Sequence, residues 1–278
     1  MSSVQIAVPL SQPRRTRILG PLKTLALRRF RLTVRTPREL VVPLLTPIMF
    51  ALVIAPSLKT ALHTGAGYEA FVAIGTVGLL IPLNTMFSGL GVIVDRVSGA
   101  QRELLTAPIP RGLLVVGNLL VALAITGLQI AVLLAVSIAR GIQFDASSTG
   151  IAWFAAAAAL FTVGMYGMAE ILANRVPRQE EYIARVPAIA ILPWFLAGAL
   201  FPIGALPSFL TWVAKFLPLT HALALMRYGL LDDSAGLHAI WGTGDPSAMA
   251  ALSLGVVGSF ALLLFFASIR VFSRSAVA

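Results

Sequence analysis

Residues 95–112 read DRVSGAQRELLTAPIPRG and hold five ionisable side chains, Asp95, Arg96, Arg102, Glu103 and Arg111, between two strongly apolar runs. Such a cluster can grip a partner surface, but it cannot cradle a nucleotide unaided. A phosphate loop needs G-x-x-x-x-G-K-[ST] between a strand and a helix, and the sequence contains none. The hydrolase pattern G-x-S-x-G and the zinc-protease pattern H-E-x-x-H are also missing. His63, His221 and His238 lack metal-ligand spacing, and with no Cys there is neither a thiolate nucleophile nor a disulfide. Adjacent Asp232 and Asp233 would diverge on a helix, so a solvated turn describes them better than a cation site. Catalytic and metal-binding residues are therefore expected to be none, and the chain is not expected to be an enzyme.

The elements that position the 95–112 cluster follow from composition. Hydrophobic residues make up 58% of the 278 and charged residues 12%, far from the ~25% charged usage of soluble domains. Spanning a bilayer takes about 20 predominantly apolar residues in a helix. Uncharged runs cover Leu40 to Leu58, Ala70 to Val94, Gly112 to Ala139, Gly150 to Ala169, Val186 to Ala214 and Pro246 to Ile269. The expected fold is all-α and integral to the membrane, with six transmembrane helices. Residues 1–39 are expected to form a basic cytoplasmic arm and 40–278 one six-helix transmembrane domain, with no room for a separate aqueous core.

Six crossings place both ends on one side. Lys and Arg then number nine in the N-terminal arm, three in 95–112, three in 174–185 and two in the tail, 17 in all. The other side has four: Lys59, Arg140, Lys215 and Arg227. Basic residues concentrate in cytoplasmic loops, so both termini are expected in the cytoplasm of a multi-pass protein of the cell membrane. The same split accounts for the formal charge of +10 without invoking nucleic acid. VQIAVPL followed by PRRTR is too short an apolar run for a secretory signal.

Pro21 to Thr36 has the pattern of an interfacial helix. Thr24, Arg28, Arg31 and Arg35 share one face, Leu22, Leu25, Ala26 and Leu32 another, and Lys23 and Arg29 blur the division. An ordinary basic flank that enforces topology accounts for the same residues equally well. Farther on, Pro187, Pro193, Pro202 and Pro207 interrupt Val186 to Ala214, so a crossing to about Gly204 is expected. LPSFLTWVAKFLPLTHALALMRYGLL should then form two short helices broken at Pro218 and dipping into the outer leaflet.

Within the opening cluster, Val97 to Thr106 favours a helix in which Gly99 is tolerated. Pro108 and Pro110 hold their predecessors extended and stop it. A short rigid rod between the second and third crossings results, bearing Arg96, Arg102 and Glu103 beside Leu104 and Leu105, with Arg111 flanking the next span. Such a rod is a docking element.

DRVSGAQRELLTAPIPRGLLVVGNLL resembles the signature of type-two ATP-binding-cassette (ABC) permeases, roughly D-R-x-x-G-x-x-x-x-L-x-x-(T/S)-P-x-x-(R) ahead of the third crossing. LPSFLTWVAKFLPLTHALALMRYGLL is similar to the family's segment before the last crossing, with Leu217 where N-P-L-(T/S) has Asn. The resemblance covers nearly the whole chain, and the daunorubicin-resistance exporters are its nearest branch. It implies a second permease subunit, identical or a paralogue, and two copies of a separate nucleotide-binding ATPase that carries ATP and Mg. No cofactor is expected in this chain. It further implies that Asp95 to Thr106 is a coupling helix seated in that ATPase, with the basic N-terminal helix against the same partner.

Three functions compete at this stage. The first is the permease of an ATP-driven exporter of an amphipathic, drug-like or lipid-like compound. The second is an ion-coupled carrier built on Glu170, although a carboxylate near a span's end can equally snorkel or meet Arg175. The third is a polytopic lipid-modifying enzyme, for which paired carboxylates are lacking. Asn84, Phe87, Trp194, Phe195 and Phe201 are the candidate lining of a substrate path.

Overall fold

A computed structural model describes residues 19–35, 37–65, 67–106, 109–242 and 244–275, with the side chains of 33–42 and 275 left aside. Pro108 and the Arg35 side chain, both anticipated in functional stretches, lie outside these described residues. Among the described residues every regular element is helical: α1 (Leu19–Arg35), α2 (Pro37–Met49), α3 (Ala55–Ala61), α4 (Tyr68–Val97), α5 (Ala100–Thr106), α6 (Gly112–Ala139) and α7 (Ser148–Arg175). There follow α8 (Gln179–Leu196), α9 (Ser208–Lys215), α10 (Pro218–Leu231), α11 (Ala235–Trp241) and α12 (Pro246–Ser275).

Five helical stretches are long and apolar enough to cross a membrane: Pro43–Ala61, Tyr68–Val97, Gly112–Ala139, Ser148–Arg175 and Pro246–Arg274. A sixth is reached if α9 and α10, bent by 82° at the Pro218 break, count as one span. The residues read as a fifth crossing are divided differently. Helix α8 starts at Gln179 with Glu180 and Glu181 in its first turn and ends at Leu196, and Gly198 follows with φ +80°. A one-turn helix at Ile203–Ala205 then leads to α9. The chain therefore leaves the helix well before Gly204, because Ala197 closes on the Pro193 carbonyl and the next residue adopts a left-handed backbone.

The rod is shorter than its sequence suggests. Gly99 has φ +81°, its N–H bonds to the Arg96 carbonyl, and Ser98 N–H bonds to that of Val94. A left-handed residue ends one helix and allows a new axis. Val97 thus belongs to α4, and α5 begins only at Ala100. Gly99 is the corner rather than a tolerated interior residue.

The main apolar core collects Ile74, Met86, Phe161, Tyr182, Leu223 and their neighbours, with a smaller cluster of Leu114, Leu119, Tyr166 and Phe272 beneath α5. Helices α7 and α12 touch closely at Gly167, where a Cβ would sit 2.7 Å from the Leu264 carbonyl.

The first candidate span is irregular, and its defects have specific remedies. Pro47 has no N–H for the Pro43 carbonyl four residues back, and Gln129 of α6 donates to it at 3.2 Å. Over Phe50–Ile54 the helix widens to π geometry, with Ala55 N–H bonded to Phe50. In that register the Ala51 carbonyl would need the N–H of residue 56, which is Pro. Arg140 donates to Ala51 instead, at 2.6 Å, and also meets Glu69 at 3.2 Å, while Lys59 holds the other Glu69 oxygen at 3.4 Å. Replacement of Gln129 by Leu strands the Pro43 carbonyl in apolar surroundings and should lower stability by about 1 kcal/mol. A fall in the thermal unfolding midpoint in detergent is the expected result; an unchanged midpoint would show that the carbonyl has another donor.

Candidate functional site

At the corner between α4 and α5, each charged side chain has a distinct task. Asp95, in the last turn of α4, turns inward with 16% of its side chain exposed. It faces α1, where Arg28 lies 3.4 Å from one carboxylate oxygen and Arg29 3.7 Å from the other. Arg29 also donates to the Ser88 carbonyl at 3.2 Å. The close approach requires Gly91, whose position leaves no space for a Cβ beside the guanidinium.

Arg96 leaves in another direction and donates to the carbonyls of Ala173 (2.9 Å), Val176 (2.7 Å) and Pro177 (3.3 Å). These lie at the end of α7, where carbonyls lack intrahelical donors and the helix dipole favours a cation. Arg111 serves α12 in the same manner, donating to the Ser273 carbonyl at 3.1 Å. Three elements that meet the corner are thereby fastened by Arg side chains.

Helix α5 itself is two-faced. Leu104 and Leu105 pack on the cluster of Leu114, Leu119, Tyr166 and Phe272. Gln101 is buried, and its Oε1 has no hydrogen-bond partner. Beneath it lies a cavity of about 30 Å³ lined by Arg28, Asp95, Gln101, Leu104, Asn118 and Phe272, among others, large enough for about one water molecule. Arg102, Glu103 and Thr106 are exposed. The outward surface is therefore small and charged, and it stands on an immobilised base.

The basic helix keeps much of the division its pattern implied, with Leu22, Leu25 and Ala26 half-buried and Thr24 exposed, but not all of it. Arg28 and Arg29 are turned towards α4, whereas Leu27, Phe30 and Leu32 are exposed; Arg31 is exposed too. Asp95 lies 67 residues from Arg28 in sequence, so a helical wheel drawn on α1 alone could not anticipate the pairing. The inward turn of Arg28 is its consequence.

Glu170 neither snorkels nor meets Arg175. It is buried within α7, where the Tyr166 hydroxyl donates to one carboxylate oxygen at 2.8 Å and the Asn174 amide to the other at 3.1 Å. Both partners are one helical turn away on the same helix, a spacing legible in the sequence.

The proposed path residues do not form one group. Asn84 donates to the Ala122 carbonyl at 3.3 Å and to the Thr126 hydroxyl, joining α4 to α6. Trp194 is buried, donates to the Gly75 carbonyl at 2.7 Å and stands edge-on to Phe195. Phe87, Phe195 and Phe201 are exposed on the bundle's exterior.

Arg227, counted above as a loop cation, is in fact 5% exposed inside α10. Its guanidinium lies 3.4 Å from the Phe71 ring centroid and donates to the Ala199 carbonyl at 3.0 Å. No local signal reveals this, because the ring and the carbonyl come from distant segments. Among the described residues no cluster of His, Cys, Asp or Glu could hold a metal ion.

Comparison with known proteins agrees with this geometry. Nodulation protein J of Rhizobium leguminosarum bv. viciae is 26% identical over 218 residues, covering 76% of each chain. Nodulation protein J of Bradyrhizobium diazoefficiens is also 26% identical, over 76% of this chain and 75% of that one. The putative transport permease ycf38 of Porphyra purpurea is 25% identical, over 76% and 74%. The family model described as ABC-2 type transporter matches residues 21–231, from α1 through the end of α10 and including the Arg-fastened corner. The chain belongs to the ABC-2 type transporter family and is a membrane transport permease of the kind that normally works with an ATPase subunit.

Proposed function

We propose that this permease is the membrane half of an ATP-driven exporter and that α5 is the element through which a separate nucleotide-binding subunit moves it. The observation that carries this reading is the contrast at the corner. Arg102, Glu103 and Thr106 face outward from a helix whose other residues are packed, while Asp95, Arg96 and Arg111 tie its surroundings to α1, α7 and α12. A load applied to the exposed residues reaches α4 across Ser98 and Gly99 alone, and through Asp95 and Arg96 it reaches α1 and α7. A partner ATPase would provide ATP, Mg and the phosphate loop that this sequence lacks.

The reading extends to six crossings, with α8 and the start of the loop after it as the fifth and the bent α9–α10 pair as a hairpin in the outer leaflet. Both termini then lie in the cytoplasm with the 17 basic residues of that side. Two permease chains would enclose the route, which suits the exterior placement of Phe87, Phe195 and Phe201. The cargo that fits mostly apolar spans is an amphipathic or lipid-like molecule.

Replacing Arg102 and Glu103 together by Ala should lower permease-stimulated ATPase activity and export in parallel by about tenfold, equivalent to ~1.4 kcal/mol of coupling. Both activities unchanged in vesicles containing the two subunits would remove α5 from the mechanism. Asp95→Asn, by contrast, leaves Arg28 and Arg29 facing a neutral amide, so it should lower the thermal midpoint as well as export, whereas the α5 double variant should leave the midpoint alone. A midpoint unaffected by Asp95→Asn would show that the pairing contributes nothing to the bundle.

Glu170→Gln distinguishes ion coupling from ATP coupling. The amide oxygen still accepts from Asn174 and the amide N–H can donate to the Tyr166 hydroxyl oxygen with that bond reversed, so ATP-driven transport should stay within about twofold of wild type and persist when ion gradients are collapsed. Loss of transport in that variant, together with sensitivity to an uncoupler, would favour the carrier mechanism.

A further inference from the structure

Far from α5, the helices α9, α10, α11 and α12 surround a half-open groove of about 400 Å³. Its walls include Trp212, Phe216, Trp241 and Val256, with Lys215 at the rim and His221 on the floor. Trp212 and Phe216 stand edge-on with ring centroids 4.8 Å apart, and they are 61% and 67% exposed. Aromatic rings in this number, on the surface of a membrane protein, form a wall for a hydrocarbon chain.

The polar groups in the groove decide what else it can bind. Trp241 Nε1 donates to the Ser253 hydroxyl at 2.8 Å, Ser253 Oγ lies 3.2 Å from His221 Nδ1, and His221 Nε2 lies 2.9 Å from the Lys215 carbonyl. One direction satisfies the whole chain: Trp241 donates to Ser253, Ser253 to Nδ1, and the Nε2 proton to Lys215. The carbonyl at the end can only accept, which fixes the neutral Nε2–H tautomer. The indole, hydroxyl and imidazole are thereby engaged with one another, leaving little for a ligand rich in hydroxyl groups.

Lys215 is the exception. Among the described residues the ion pairs are those of Arg28, Arg29, Lys59 and Arg140, and none involves Lys215. No carboxylate lines the groove. The site combines an apolar aromatic wall, a self-satisfied floor and one cation at the rim.

We propose that this groove holds an anionic phospholipid of the surrounding bilayer, with an acyl chain against Trp212, Phe216 and Trp241 and its phosphate on the Lys215 ammonium. The lipid would bridge the two arms of the bent α9–α10 pair to α12, since the groove draws residues from all three. The site is independent of ATP coupling and of α5.

The test uses the purified full-length chain in phosphatidylcholine vesicles containing acyl-brominated phosphatidylglycerol or acyl-brominated phosphatidylcholine. Quenching of Trp212 fluorescence is taken as the difference between wild type and Trp212→Phe. Brominated phosphatidylglycerol should quench at about threefold lower mole fraction, the preference that a single partly exposed ion pair supplies. Lys215→Gln should abolish the preference while brominated phosphatidylcholine still quenches, which shows the groove to be intact. Lys215→Arg should retain it, and so should Lys59→Gln, which removes a cation elsewhere. Equal quenching by the two lipids in wild type, a preference that survives Lys215→Gln, or quenching by neither because a second copy of the chain covers the groove would each overturn the proposal. Failure of the exporter reading would leave this result untouched, because neither ATPase nor transport is measured.

Discussion

Within an apolar surround, a backbone carbonyl without a donor has no water to turn to, and leaving it unpaired is unfavourable. The prolines of this chain create that deficit repeatedly, and polar side chains from neighbouring helices relieve it. Gln129 answers Pro43, and Arg140 answers Ala51. At helix ends the same shortage is met by Arg96 on α7 and Arg111 on α12. Irregular segments are thus tolerated where a donor from another helix reaches them, and the donors fix how the helices stand together.

The corner between α4 and α5 carries the same constraint furthest. Interactions that satisfy helix ends also make the region stiff, because Arg96 cannot leave α7 without exposing two or three carbonyls at once. Asp95 adds charge-assisted contacts to α1, and Gly99 supplies the change of axis at one residue. A rigid corner with a small exposed face suits transmission of force better than a broad flexible contact. Packing under α5 is incomplete at the Gln101 cavity, where an acceptor oxygen and the Asp95–Arg28 pair border space for about one water molecule.

What the sequence disclosed was whatever depends on local composition. Long apolar runs identified the five stretches that qualify as spans, and Pro218 marked the bend between α9 and α10. Its failures were equally physical. Gly99 was compatible with a continuous helix by propensity alone, since a loss of about 1 kcal/mol can be borne; only the adopted φ shows that the chain uses it to turn. Arg28 leaves the polar face of α1 because its direction is decided by Asp95, on another helix. Glu170 was the opposite case, with Tyr166 and Asn174 placed one turn to either side and detectable without any tertiary information. Within the stretch singled out for coupling, the sequence did not separate the outward Arg102 and Glu103 from the inward Asp95 and Arg96.

Charge asymmetry across the bilayer also changes once pairing is considered. Of the four basic residues assigned to the outer side, Lys59 and Arg140 share Glu69, and Arg227 is enclosed beside Phe71 and Ala199. A neutralised or buried cation contributes little to the field outside the protein. Under the proposed orientation, Lys215 is then the one of the four that is neither ion-paired among the described residues nor buried. Partial neutralisation also occurs on the cytoplasmic side, at Asp95, but Arg31, Arg102, Arg175 and Arg178 are exposed there. Under that orientation, three of the four cations of the far side have been put to structural use.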